Sequence, residues 1–341
     1  MFKVALGGGG SNDESRASVA IARRLVGVLQ VVEIGLDKDE RLVAAKAKAA
    51  KALGALSKQS LVVRQAIIQA KGITPLVKLL GDGSSVEDVD ETEAHITLLL
   101  ADLSCSEESR EELIAAGAIS PLMATLGSSL PTVQEAAVSV LWQLSLSGDE
   151  RAERQLTLGI PKLVEVLESG CPEAQGLSVS ALWQLASLPE ARTAIVRAGG
   201  VKHLVNVITT LHVEDVQSSA AALLAELAEA RESHSELVSS GAVPLLIFAL
   251  SGPEVGVNAD MQRHAAAVLY PICNSSSFRR LLIDGGIVPP LLALTSAEDG
   301  SELQGYAIAM IKCLADDAAA RGAIEEAGGA EILRSVSPSA A

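Results

Sequence analysis

Aromatic residues make up only 2% of the chain, as three Phe, two Tyr and two Trp. Folds whose cores depend on bulky aromatic anchors, β-rich ones above all, are disfavoured. Burial must come from Ala, Leu, Val and Ile, which pack helix against helix. No apolar run reaches the roughly 18–20 residues that a membrane-spanning helix needs, and stretches such as GIVPPLLAL are short and broken by proline. A soluble chain without direct membrane insertion is expected. Cysteines number four, Cys105, Cys171, Cys273 and Cys313, far apart and without a C-x-x-C pair. That spacing and the lack of a signal-peptide pattern lead to the expectation of reduced thiols in an intracellular, cytoplasmic setting, with a nuclear or ciliary one as alternatives. Basic patches are lacking too. The net charge is −15, and the largest basic cluster, KAKAAK at 46–51, is too small to offset it, so nucleic acid is a poor partner.

Catalytic and metal patterns are also missing. His95, His203, His212, His234 and His264 show neither H-x-x-x-H nor H-E-x-x-H spacing. The GGGG run at 7–10 is not followed by G-K-[ST]. Met123, Met261 and Met310 are isolated and suit core filling. No enzyme activity, no metal and no cofactor are expected.

What the chain has is repetition. LWQLS (141–145) and LWQLA (182–186) hold both tryptophans, 41 residues apart. Related pentapeptides start at Leu53, Leu100, Leu141, Leu182, Leu224, Leu269 and Ile311, at intervals of 47, 41, 41, 42, 45 and 42. A second landmark is a small residue or glycine followed by an aliphatic, as in GITPL, GAISPL and GAVPLL. It falls at Ile73, Ile119, Ile160, Val201, Val243, Val288 and Ala330, with nearly the same irregularities. Two landmarks stepping together mark tandem repeats. Nine residues before each second landmark stand Arg64, Arg110, Arg151, Arg192, His234, Arg279 and Arg321. They could form a basic ladder for an acidic ligand, or tie each repeat to neighbouring carboxylates or carbonyls.

Within one unit the local pattern predicts three helices. REELIAAG (110–117) has helical apolar spacing and ends at a glycine suited to a left-handed cap. AISPLMATL predicts a short second helix with Pro121 in its first turn. VQEAAVSVLWQLS predicts a longer third, with Val133, Ala136, Ala137, Val140, Leu141 and Leu144 on one apolar face. A unit of about 42 residues with this G-a-I-x-x-L entry and A-L-x-x-L-S ending resembles the armadillo repeat. The resemblance implies an all-α fold, a right-handed superhelical α-solenoid of tandem three-helix repeats. It frames six repeats over 58–316, a partial repeat at 15–57, a partial repeat at 317–336, and tails at 1–14 and 337–341. It also implies a eukaryotic source. Outside the period lie an acidic loop, GDGSSVEDVDE (81–91), and an insertion, SGPEVGVNAD (251–260), both candidate secondary contacts.

In armadillo proteins the third helices line a concave groove for extended peptides, clamped by an asparagine. In this register the slot holds Ala55, Asp102, Gln143, Gln184, Glu226, Pro271 and Cys313, with no asparagine among them. Helical spacing puts Ser139, Trp142 and Gln143 on one face, and Ser180, Trp183 and Gln184 repeat the set. With Asp102 and Glu226 these are the candidate partner-binding residues. The indoles either face the groove or pack between helices. The expected function is a non-enzymatic scaffold for an extended or helical segment of a protein partner. Alternatives are a structural subunit of a large assembly, ciliary or organellar, and an adaptor for basic cargo peptides. Oligomeric state is open.

Overall fold

The computed structural model describes residues 10–31, 40–81, 89–211, 213–296 and 300–336. Among these the secondary structure is helical throughout, with no strand. Most of the loop at 81–91 lies outside the described residues, as do the C-terminal tail and His212. The chain divides into two compact units, residues 1–181 and 182–341, taken in turn.

In the first unit the repeat that supplied the sequence pattern runs Glu107–Ala115, Ile119–Thr125 and Pro131–Ser145. Ser106 caps the first helix by accepting a hydrogen bond from the Ser109 N–H at 3.2 Å. The cap satisfies one amide that the helix leaves without a partner. The helix ends at Gly117, whose φ of 75° is the left-handed conformation the sequence predicts. All six apolar-face residues named for the third helix are buried. Third helices Glu40–Ser57, Val89–Leu103 and Pro131–Ser145 pack in succession, while Ile73–Gly81 lies against Ile119–Thr125. Each fully buried Leu or Ile on these contacts is worth about 1.5–3 kcal/mol.

The N-terminal expectation needs a correction. The first helix is Gly10–Leu29, so it takes in residues 10–14, which the repeat frame assigned to a flexible tail. The run S-N-D-E that follows the glycines has residue types that favour a helix start. Residues 1–9 lie outside the described residues.

Two positions depart from the turn glycine. Lys71 stands where Gly117 does and adopts φ 58°. Its ammonium lies 3.7 Å from Glu112 Oε2, whose side chain is nearly buried. Leu158 stands at the same place in the next repeat, 83% exposed, where Glu150–Leu158 runs into Ile160–Ser169 across Gly159 alone. A Cβ on Gly159 would come within 2.3 Å of Met123 Cε, so the bare glycine makes room for that methionine.

The second unit repeats the plan with Pro189–Arg197, Gly200–Thr210 and Glu214–Ala228, and then Ser276–Asp284, Val288–Leu294 and Glu302–Ala315. Between them, a 3-10 turn Arg231–Ser233 leads into His234–Ser239, Ala242–Ala249 and Ala259–Asn274. Third helices Glu214–Ala228, Ala259–Asn274 and Glu302–Ala315 pack in succession. The insertion forms a 3-10 turn, Gly252–Val255, before the third helix.

Candidate functional site

The arginine ladder settles first. Arg64 Nε donates to the Ser57 carbonyl at 2.9 Å, and Arg192 Nη1 to Ala186 at 2.6 Å. His234 Nε2 meets the Ala228 carbonyl at 2.8 Å. Arg279 Nε donates to Cys273 at 3.1 Å, and Arg321 Nη2 to Ala315 at 2.7 Å. Each donor sits on a first helix, and each acceptor closes the third helix of the repeat before. These are C-terminal carbonyls that no helical N–H can reach, where positive charge is favoured. Five of the seven positions therefore tie repeats together. Arg110 instead turns its Nη1 to Gln143 Oε1 at 3.5 Å. Arg151 is exposed.

On the third helix Pro131–Ser145 the non-buried residues of the last two turns form one strip. In the first unit it carries Ser139, Trp142 and Gln143, all partly buried, between buried Val138, Val140, Leu141 and Leu144. The three sequence-predicted residues thus share a face. Gln143 Oε1 is already approached by Arg110. Asp102 is held more firmly: its Oδ2 accepts from the buried Ser57 hydroxyl at 2.9 Å and its Oδ1 lies 3.8 Å from Arg64. Ser180 donates to the Gly176 carbonyl of its own helix at 3.1 Å, a local bond that turns the hydroxyl back on the backbone.

The second unit leaves more of its face open. Trp183 is 47% exposed, Gln184 is partly buried and Glu226 is exposed. Neither Gln184's amide nor Glu226's carboxylate has a hydrogen-bond or ion-pair partner among the described residues. Further along the same face Tyr270 and Tyr306 meet with ring centroids 5.7 Å apart and planes tilted by 53°. Burial and the neighbouring Glu302 push the Tyr306 hydroxyl's pKa up. Pro271 lies inside its helix and has no N–H to give the Ala267 carbonyl one turn back. That carbonyl and the two rings lie along the partly buried strip Arg263, Ala267, Tyr270 and Pro271.

Tyr270 is not among the sequence-predicted residues, although LYPIC puts it in the register of Trp142 and Trp183. Tyr306 carries no such signal, because it stands five residues before its own landmark and reaches Tyr270 only through packing.

Burial, and secondarily the neighbouring Cys313, pushes the Cys273 thiol up to about 12, far from a reactive thiolate. All four cysteines are unpaired. Among the described residues no group of three His, Cys, Asp or Glu is placed to hold a metal ion, and no helix is long and apolar enough to cross a membrane.

Comparison with known proteins agrees with this geometry. A model of the armadillo/beta-catenin-like repeat matches residues 106–146, which is the repeat from which the helical pattern was read. No curated protein matches the chain. Solved structures do. An engineered protein is 27% identical with a TM-score of 0.69, the match covering 98% of this chain and 83% of that one. Computationally designed armadillo repeat proteins for modular peptide recognition are 25% identical with a TM-score of 0.58, covering 73% and 99%. A designed armadillo repeat protein in complex with the peptide (KR)4 is 24% identical with a TM-score of 0.55, covering 74% and 99%. From the repeat register, the stacked third helices and these matches, residues 106–146 match the armadillo/beta-catenin-like repeat and the chain has the fold of armadillo repeat proteins.

Proposed function

We propose that this protein is a non-enzymatic scaffold whose third-helix face binds an extended segment of a protein partner. The observation that carries the reading is the open face of the second unit. Trp183, Gln184, Glu226 and Tyr270 stand at matching places on successive third helices, with an amide and a carboxylate that the fold leaves unused. An amide pairs with peptide backbone, an indole or phenol ring covers an aliphatic or cationic side chain, and a carboxylate favours Lys or Arg. A stack of helices gives a long contact surface without a deep pocket, which suits recognition rather than catalysis. The design of related armadillo proteins for peptide recognition supports the same reading. In the first unit Ser139, Trp142 and Gln143 offer a smaller version of the face, and Asp102 supports it as part of the Ser57–Arg64 network.

The test is a random peptide display library panned against the full chain, followed by titration of the selected peptides. Trp183→Ala and Tyr270→Ala each weaken binding by about 1–3 kcal/mol, as centrally placed aromatics do, while circular dichroism stays unchanged. Peptides that bind both variants as tightly as wild type would overturn the proposal. Loss on Trp142→Ala alone would move the site to the first unit.

A further inference from the structure

The insertion that lengthens the fifth repeat builds a second feature, away from the third-helix face. Between Gly200–Thr210, Ala242–Ala249 and the turn at 252–258 lies a recess of about 350 Å³, lined by apolar Ile208, Leu245, Phe248, Val257 and Met261 and by polar Glu214, Gln217 and Asn258. Its size falls at the small end of ligand sites. Phe248 is 54% exposed on a helix that otherwise buries Ala242, Val243, Leu246, Ile247 and Ala249.

The wall is held in place rather than draped. Asn258 caps the third helix by accepting from the Met261 N–H at 2.7 Å, and its amide donates to Ser218 of the preceding repeat at 3.2 Å. Gln262 donates to the Leu250 carbonyl at 2.8 Å. Its amide passes over Gly252, where an added Cβ would lie 2.2 Å from Gln262 Nε2. Gly252 at φ 64° is therefore required both by the backbone and by the space. Glu214 is the one charged residue that lines the recess, and it stands in the first turn of Glu214–Ala228 beside Asp215.

We infer that this recess docks an aromatic side chain of a partner segment that carries Lys or Arg next to that residue. A fixed socket with an exposed phenyl wall and a polar side suits a single aromatic anchor, and the Glu214 carboxylate selects its basic neighbours. The site is distinct from the proposed peptide face. Glu214 and Glu226 are twelve residues apart on one helix, about 18 Å by helical rise. The inference stands whether or not the third-helix face binds peptide.

The test follows the methyl resonances of Met261 and Ile208 in the full chain on titration with the blocked tripeptide acetyl-Lys-Trp-Lys-amide. Both resonances are expected to shift saturably. Acetyl-Lys-Ala-Lys-amide leaves them in place, and acetyl-Glu-Trp-Glu-amide binds more weakly. Phe248→Ala, at an exposed position that folding does not need, weakens the first peptide about fivefold. Glu214→Lys, which reverses the one charge lining the recess, weakens it about threefold. Unmoved methyls, equal shifts with the acidic peptide, or indifference to Phe248→Ala would each overturn the inference, as would shifts confined to the resonances around Tyr270 and Tyr306.

Discussion

At the scale of single residues, one register position gives a controlled comparison. Arg192 donates to the Ala186 carbonyl at 2.6 Å and approaches the Ser187 carbonyl at 3.4 Å, whereas Arg151, its counterpart one repeat earlier, is exposed. Arg192→Ala removes charge-assisted bonds to carbonyls and is expected to cost about 1.5–3 kcal/mol. Arg151→Ala is expected to stay within about 0.5 kcal/mol of wild type. Urea denaturation of the two variants checks both figures. His264 supplies a pH dependence. Burial first, and then the adjacent Arg263, hold its pKa below the usual 6.5, against the opposing pull of Asp260 and Glu302. The unfolded chain therefore binds the proton more readily, and stability falls as pH drops below about 6.5. The urea midpoint is expected to decline between about pH 7 and pH 5, and His264→Gln flattens part of that decline.

At the scale of elements, Pro271 is the informative exception. It sits in the interior of Ala259–Asn274, where proline normally costs about 3 kcal/mol. Pro271→Ala restores the missing hydrogen bond to Ala267 and is expected to raise stability by about 1–3 kcal/mol, read as a higher thermal midpoint. The helices themselves were legible in the sequence because three signals coincide: apolar spacing, caps such as Ser106, and glycines such as Gly117 that end first helices. Where one signal was missing the pattern still held, as at Leu158, since packing on both sides fixes the turn. The side-chain arrangement was less legible. That Asp102 is engaged by Ser57 and Arg64 while Glu226 stands free depends on residues 38 to 45 positions distant, which spacing along one helix does not report. The recess beside Phe248 was foreshadowed only by the length of the insertion; its lining comes from three elements that meet in space.

At the scale of the molecule, 42 acidic residues face 27 basic ones, and most of the observed ion pairs are exposed, each worth little. Self-repulsion therefore outweighs what the surface pairs return. Raising NaCl to about 1 M, where the screening length is about 3 Å, is expected to increase the thermal midpoint by a few degrees, measured by circular dichroism. A fall would mean that the pairs dominate.

The bond that five of the seven first-helix arginine or histidine positions make back to the closing carbonyl of the repeat before has an evolutionary reading. The acceptor is backbone, so it is present whatever side chain stands there: Ser57, Ala186, Ala228, Cys273 and Ala315 all serve. A hook that fits any eye makes the junctions interchangeable. A gene segment encoding one repeat could be duplicated or lost in register and the new neighbours would still join, so the length of such an array is free to change while its mode of assembly stays constant.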